Sequence, residues 1–139
     1  MHIELVDIIP LGVGSGRRRR VCALKIDGKS PVLAELLDAR KHHAEDHAKI
    51  IKVIKLVASV DEVRGKHVKR GEGRYGDIYE MRGGQVRLFY FHEPDRNEIV
   101  ICTNLYWKAK PSKREQSQAF KRALRFRDLY LEQVGREKR

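Results

Sequence analysis

Three extended, apolar segments, DIYEMR, QVRLFYFHE and NEIVICTNLYW, follow one another with only short turns between them, and this run limits the fold more than any other feature of the chain. Gly83-Gly84 is a tight hairpin signal, and HEPDRNE supplies a second, longer turn. Successive side chains in a strand face opposite ways, so in QVRLFYF the residues Val86, Leu88 and Tyr90 share one face while Arg87, Phe89 and Phe91 share the other. Arg87 is thereby placed among aromatics rather than among solvating charges.

The segments before this run alternate in character. MHIELVDIIP is β-prone as far as Pro10, GVGSG breaks it, and VCALKI resumes an extended pattern, which predicts a hairpin with RRRR at the start of its second strand. In DGKSPVLAELLDAR, Asp27-Gly28 is a turn, Ser30 a candidate N-cap and Pro31 a first helical residue, where the missing N–H does no harm. From Ala44 the residues Ala48, Ile51, Ile54 and Ala58 recur at helical spacing beside Ile50, Val53 and Val57, with Lys49, Lys52 and Lys55 between them. This predicts a second amphipathic helix, or a continuation of the first after a bend. A polar connector, RGKHVKRGEGRYG, leads to the strands. After Pro111, Ser112 to Glu115 has capping-box spacing, so a last helix is expected from Ser112, with Ala119, Phe120, Ala123, Leu124, Tyr130, Leu131 and Val134 forming its apolar stripe.

A chain of 139 residues with 41% hydrophobic content buries one core and is too short for two, so residues 1–139 read as a single domain. Lys and Arg number 30 against 19 Asp and Glu, a net charge of +11, and such a field draws phosphate polymers or acidic proteins. No apolar run approaches the ~20 residues of a membrane span, and the N-terminus lacks the build of a signal peptide. A soluble, cytoplasmic protein with no membrane partner is expected. Cys22 and Cys102 signal neither a disulfide scaffold nor a zinc site and read as small apolar residues within strands.

Two motifs invite stronger readings than they support. GVGSGRRRR lacks the Lys-Ser/Thr ending of a phosphate-binding loop and is not followed by a helical pattern. Its arginines, Arg17 and Arg18 among them, suit contact with a nucleic-acid backbone or an acidic partner, or simply a solvated hairpin. HHAEDH sets His43 and His47 at metal-ligand spacing. A helix start with carboxylates at its positive dipole end accounts for the same residues, so no metal and no cofactor is assigned.

A larger constellation remains: Lys69 and Arg70 in the connector, Arg82 ending one strand, Arg87 within the next, and Tyr106, Lys108 and Lys110 closing the last. Neighbouring antiparallel strands can bring these to one face and edge, giving a basic surface over an aromatic floor. Bases stack on rings and guanidinium groups hold phosphates in single-stranded RNA recognition.

The stretch GDIYEMRGGQVRLFYFHEPDRNEIVICTNLYWKAKPSKRE, with Ala119 after it, resembles the core of the RelE/HigB superfamily of type II toxin-antitoxin toxins, in its phage-derived HigB-type branch. DGKSPVLAELLDA resembles that branch's helix entry, so the likeness runs from about Val21 to Leu131. It implies an α+β fold: a small RelE-like domain whose twisted antiparallel sheet packs against two N-terminal helices, with a C-terminal helix. Residues 1–20 would be an additional strand and basic turn.

The resemblance also implies a ribosome-dependent mRNA endoribonuclease, an mRNA interferase, neutralised by a cognate antitoxin of helix-turn-helix type. Its chemistry would be metal-independent, a 2′-hydroxyl attacking the adjacent phosphate. By this likeness Arg87 would hold the scissile phosphate with help from Arg82. Tyr106 would stack on a base or take part in proton transfer. Lys108 and Lys110 would stabilise charge or bind phosphates. Lys69 would assist. Beside the likeness, charge alone offers Arg70 and Lys113, and Arg17 and Arg18 of the additional N-terminal turn, as further RNA-contacting cations. Lys108-Ala109-Lys110 runs straight into Pro111, a shorter segment than the branch's usual one. The other reading is a non-catalytic nucleic-acid- or protein-binding module of phage origin, and a third is the gyrase-poisoning branch of the superfamily.

Overall fold

In a computed structural model, which describes residues 1–9, 17–60, 65–108 and 113–137, the chain forms an α+β domain around one six-stranded sheet. Its elements are β1 (Ile3–Ile9), β2 (Arg20–Ile26), α1 (Pro31–His42), α2 (Ala44–Ser59), β3 (Val68–Arg70), β4 (Tyr79–Gly83), β5 (Val86–His92), β6 (Ile99–Trp107) and α3 (Lys113–Glu137). Among the described residues no helix is long and apolar enough to cross a membrane.

The strand order is β1-β2-β6-β5-β4-β3. Four of the pairings are antiparallel, but β2 and β6 run parallel, with Val21 opposite Val100 and Ala23 opposite Cys102. The sheet is therefore mixed, which corrects the expected all-antiparallel sheet. The reason lies in β2: Val21, Cys22, Ala23 and Leu24 are all buried, so the strand is covered on both faces, as suits an interior strand with a parallel neighbour. The N-terminal hairpin thus belongs to the main sheet. The connector holds a second departure from expectation, since β3 pairs antiparallel with the edge of β4. Val-Lys-Arg carries no apolar alternation, and its pairing is made by the backbone.

α1 starts where Ser30 caps it, its side chain accepting from the Leu33 amide at 3.3 Å, with Pro31 in the first turn. Together α1 and α2 cover one face of the sheet, Val32, Ile50, Val53, Ile54 and Val57 packing on Val21, Met81, Leu88 and Val100. α3 covers the other face, where Ala119, Ala123 and Tyr130 pack on Cys22, Leu24, Phe89, Phe91 and Ile101. The alternation read from QVRLFYF places Val86, Leu88 and Tyr90 in the first layer and Phe89 and Phe91 in the second. Ser112, the expected start of the capping box, lies outside the described residues.

One irregularity decides where the last strand points. Phe89 pairs with Asn104 and Tyr90 with Cys102, so Thr103 is an extra residue, a β-bulge in β6. Its hydroxyl donates to the Asn104 side chain at 2.8 Å and reaches the Phe89 carbonyl at 3.4 Å, and the Asn104 amide donates to the Ala119 carbonyl at 3.1 Å. These two buried polar residues satisfy the broken ladder and tie α3 to the sheet. Past the bulge, Leu105 and Trp107 face α1 and α2, while Tyr106 faces α3.

Candidate functional site

On the face of the sheet toward α3, four side chains from three neighbouring strands converge. Arg82 pairs with Arg87 across β4 and β5, Arg87 pairs with Tyr106 across β5 and β6, and Glu80 lies one pair further along β4. Glu80 is 1% exposed. Its Oε1 accepts from Arg82 Nε at 2.9 Å and stands 3.6 Å from Arg87 Nε, while Oε2 is buried with no hydrogen-bond partner among the described residues. A carboxylate between two guanidinium groups is what allows two cations to be neighbours here. Its second oxygen is a spare acceptor.

Arg87 is also held by the turn, its Nη1 donating to the Gly84 carbonyl at 2.9 Å and the Val86 carbonyl at 3.1 Å. Burial lowers its pKa, and Glu80 opposes that effect. For Tyr106 burial and the nearby Glu80 carboxylate raise the pKa, and Gln116 is hydrogen-bonded to it. The phenol keeps its proton across the neutral range. Tyr106 stacks on Phe89 at 5.6 Å, Phe89 meets Phe120 at 4.6 Å and Phe120 meets Tyr75 at 5.2 Å, giving a row of rings beside the charged cluster.

Two clefts open on either side of this cluster. The smaller, about 400 Å³, lies toward α3 and is lined by Glu80, Lys69, Arg70, Lys113, Tyr75 and Phe120, with Gln116 among its other walls. The larger, about 790 Å³, lies between α2 and the β4–β5 turn and is lined by Arg82, Arg87 and Lys108 together with lysines of α2. Of the residues singled out by sequence, Arg82, Arg87 and Lys108 line the larger cleft and Lys69, Arg70 and Lys113 the smaller, while Tyr106 lines neither; the clefts meet at the Glu80–Arg82–Arg87 cluster.

Not all of them keep a free side chain. Arg70 donates to the Gly76 carbonyl and lies over the Tyr79 ring at 5.7 Å. Arg17 and Arg18 line neither cleft. The arginine run instead meets the end of α2: the amides of Arg18 and Arg19 donate to the Ala58 carbonyl, and the Arg19 guanidinium donates to the carbonyls of Val57 and Val60. Cations and amides at a helix C-terminus satisfy its orphan carbonyls. Lys110 lies outside the described residues.

The HHAEDH stretch is used structurally. The His43 ring packs against Trp107 at 4.8 Å, and Asp46 accepts from the Gln85 amide at 3.0 Å, anchoring the β4–β5 turn to the start of α2. Among the described residues no three His, Cys, Asp or Glu side chains converge as a metal site.

Glu80 escaped the reading of the sequence. A lone Glu in a strand gives no motif, and its signal, an acidic residue two positions before Arg82 on the same face as Arg87, becomes visible only once the strands are in register. The chain matches no family model, and no curated protein matches it.

Proposed function

We propose that the protein is a toxin-type endoribonuclease of the RelE/HigB kind, which cleaves mRNA on the ribosome and is neutralised by a cognate antitoxin. The observation that carries this reading is the cluster itself, a buried carboxylate with one oxygen unpartnered among the described residues, two guanidinium groups that also line a lysine-rich cleft, and a phenol that keeps its proton.

Cleavage by internal attack needs a proton acceptor, stabilisation of charge on the phosphorane and a proton donor. Arg87 and Arg82 hold the scissile phosphate and its developing charge. Glu80 Oε2 takes the proton of the 2′-hydroxyl, whose oxygen attacks phosphorus. The bond from phosphorus to the 5′-oxygen breaks, and Tyr106 gives that oxygen its proton, leaving a cyclic phosphate and a 5′-hydroxyl. The Glu80 proton returns to Tyr106 through solvent. Lys69, Lys108 and Lys113 bind flanking phosphates, with Arg70 and Lys110 in lesser roles. The net charge of +11 suits both a ribosomal site and an acidic antitoxin.

Primer extension on translating ribosomes tests the proposal: new 5′ ends in mRNA are expected with the protein and none with Arg87→Ala. Salt-sensitive RNA binding without cleavage would favour the non-catalytic binding module instead.

A further inference from the structure

The larger cleft has features that the cleavage chemistry does not use. Of the thirteen described residues that line it, seven are Lys or Arg and none is Asp or Glu. Lys49 is paired with Glu45 at 3.3 Å, whereas Lys52, Lys55, Lys66 and Lys108 have no ion-pair partner among the described residues. Four unneutralised cations around one concavity repel one another, a cost that a bound polyanion removes. At about 790 Å³ the cleft is of a size that holds ligands.

We propose that this cleft is a channel for the phosphodiester backbone of single-stranded RNA, seating the nucleotides on one side of the phosphate held at Arg82 and Arg87. The proposal rests on the reading of the cluster as an RNA-cleaving site. Continuity is its first support: Arg82 and Arg87 form part of the channel wall, while Glu80, ion-paired to both, lines the opposite cleft. A strand crossing the cluster passes from one cleft into the other.

The lining also separates RNA from a protein partner. Protein interfaces are anchored by large apolar or aromatic side chains in pockets. Here Val53 is buried, Leu56 is half-buried, and no Phe, Tyr or Trp among the described residues lines the cleft. Lysines on flexible stems over such a floor suit phosphates, and with the His67 imidazole as its one ring among the described residues the channel reads backbone more than base. The row of larger rings lies on the other side, beside Tyr106.

The geometry of α2 explains why the lysines face the channel. A Cβ built on Gly83 would stand 2.5 Å from Ile50 Cα, so the end of β4 touches the backbone of the helix itself. Only glycine permits that approach, and it brings Lys49 and Lys52 to the lip of the β4–β5 turn.

Binding of a fluorescein-labelled single-stranded oligoribonucleotide, 2′-O-methylated throughout so that it cannot be cleaved, tests the channel by anisotropy across a salt series. Lys52→Ala/Lys55→Ala is expected to weaken binding roughly tenfold and to lower the slope of log affinity on log salt by about 1.4, some 0.7 for each phosphate that is no longer neutralised. Lys121→Ala/Arg125→Ala on α3 removes the same charge outside the channel and is expected to stay within about twofold of wild type. Lys52→Arg/Lys55→Arg keeps the charge and is expected to retain binding. Equal effects of the two alanine pairs, or no effect of the α2 pair, would overturn the channel. So would poly-L-glutamate occupying it where RNA does not, which would indicate an acidic protein segment. If the expected binding pattern holds but mRNA on ribosomes stays intact, the nuclease reading fails and the channel stands. Should wild type and Lys52→Ala/Lys55→Ala bind and cleave alike while Arg87→Ala does not cleave, the channel fails and the nuclease reading stands.

Discussion

Arg87 and Tyr106 stand directly opposite each other across β5 and β6, with the Tyr106 ring stacked on Phe89 beside them. The pair joins a cation to a phenol that keeps its proton, because burial and Glu80 raise the Tyr106 pKa. Arg87→Ala is expected to lower cleavage on ribosomes by about 10²- to 10³-fold, the scale for losing one donor to developing charge. Tyr106→Phe keeps the stacking surface and removes only the proton, so cleavage should fall while oligoribonucleotide affinity stays level. Full toxicity of both variants on expression would remove these residues from the site.

Glu80 joins chemistry to stability. Glu80→Gln retains an oxygen for Arg82 but neither accepts a proton nor balances the two guanidinium charges, so cleavage should drop by roughly 10²-fold or more and the melting temperature should fall, though by less than in Glu80→Leu. Glu80→Leu leaves two guanidinium groups without their carboxylate and is expected to cost about 3 kcal/mol by denaturant unfolding. Unaltered cleavage by Glu80→Gln would assign the proton to another acceptor.

The bulge at Thr103 ties the sheet face that carries Arg87 and Tyr106 to α3. Asn104→Leu loses the bond to the Ala119 carbonyl and leaves the Thr103 hydroxyl without its nearer partner. A loss of about 1–3 kcal/mol is expected, with trypsin cutting at the arginines of α3 faster than in wild type. Equal proteolysis would show that apolar packing alone holds the helix.

Two glycines should respond in opposite directions to alanine. At Gly83 the new methyl meets Ile50 Cα at 2.5 Å and Ile50 N at 2.7 Å, so the backbone of β4 or α2 must shift at a cost of about 1–3 kcal/mol. A Cβ built on Gly135 would meet no described atom within 4 Å beyond its chain neighbours and the backbone of its own helix, and Gly135→Ala should be neutral or stabilising by up to about 1 kcal/mol. Chemical denaturation of both variants measures the contrast.

Stability should fall at both ends of the pH scale. Burial raises Cys22 from 9.0 to about 11, Cys102 well above 9.0 and Tyr130 from 10.0 to about 12. These protons are held more tightly in the folded chain than in the unfolded one, so the stabilisation is complete below about pH 9 and is lost as pH rises from 9 through 11 and 12. Burial lowers His92 below 6.5, so its contribution is present above that value and is lost as pH falls. Thermal melts from pH 5 to 11 should show a plateau near neutrality. Cys22→Ala should flatten part of the alkaline decline.

Much of the architecture is local and was therefore legible in the residues. Pro31 after Ser30, the lysine-spaced helix from Ala44, Gly83-Gly84 and the alternation in QVRLFYF each act over a few positions, and elements form at those places. β3 was missed because its three residues pair through the backbone alone. The run from Arg17 to Arg20 leaves a nucleic-acid or acidic-partner contact and a solvated hairpin both open in the sequence alone; that Arg18 and Arg19 close the end of α2 and Arg20 pairs with Asp7 depends on contacts that join residues dozens of positions apart or across a hairpin.

What tertiary structure decided is the site. By strict alternation Tyr106 would share a face with Cys102, under α1 and α2. One extra residue at Thr103 shifts the phase and turns Tyr106 toward Arg87, and no pattern in NEIVICTNLYW announces it. Burial of Glu80 between two arginines, and the approach of α2 to Gly83, likewise depend on which strands become neighbours. Composition set the sign of the field and periodicity set the elements; register, a long-range property, placed the charges.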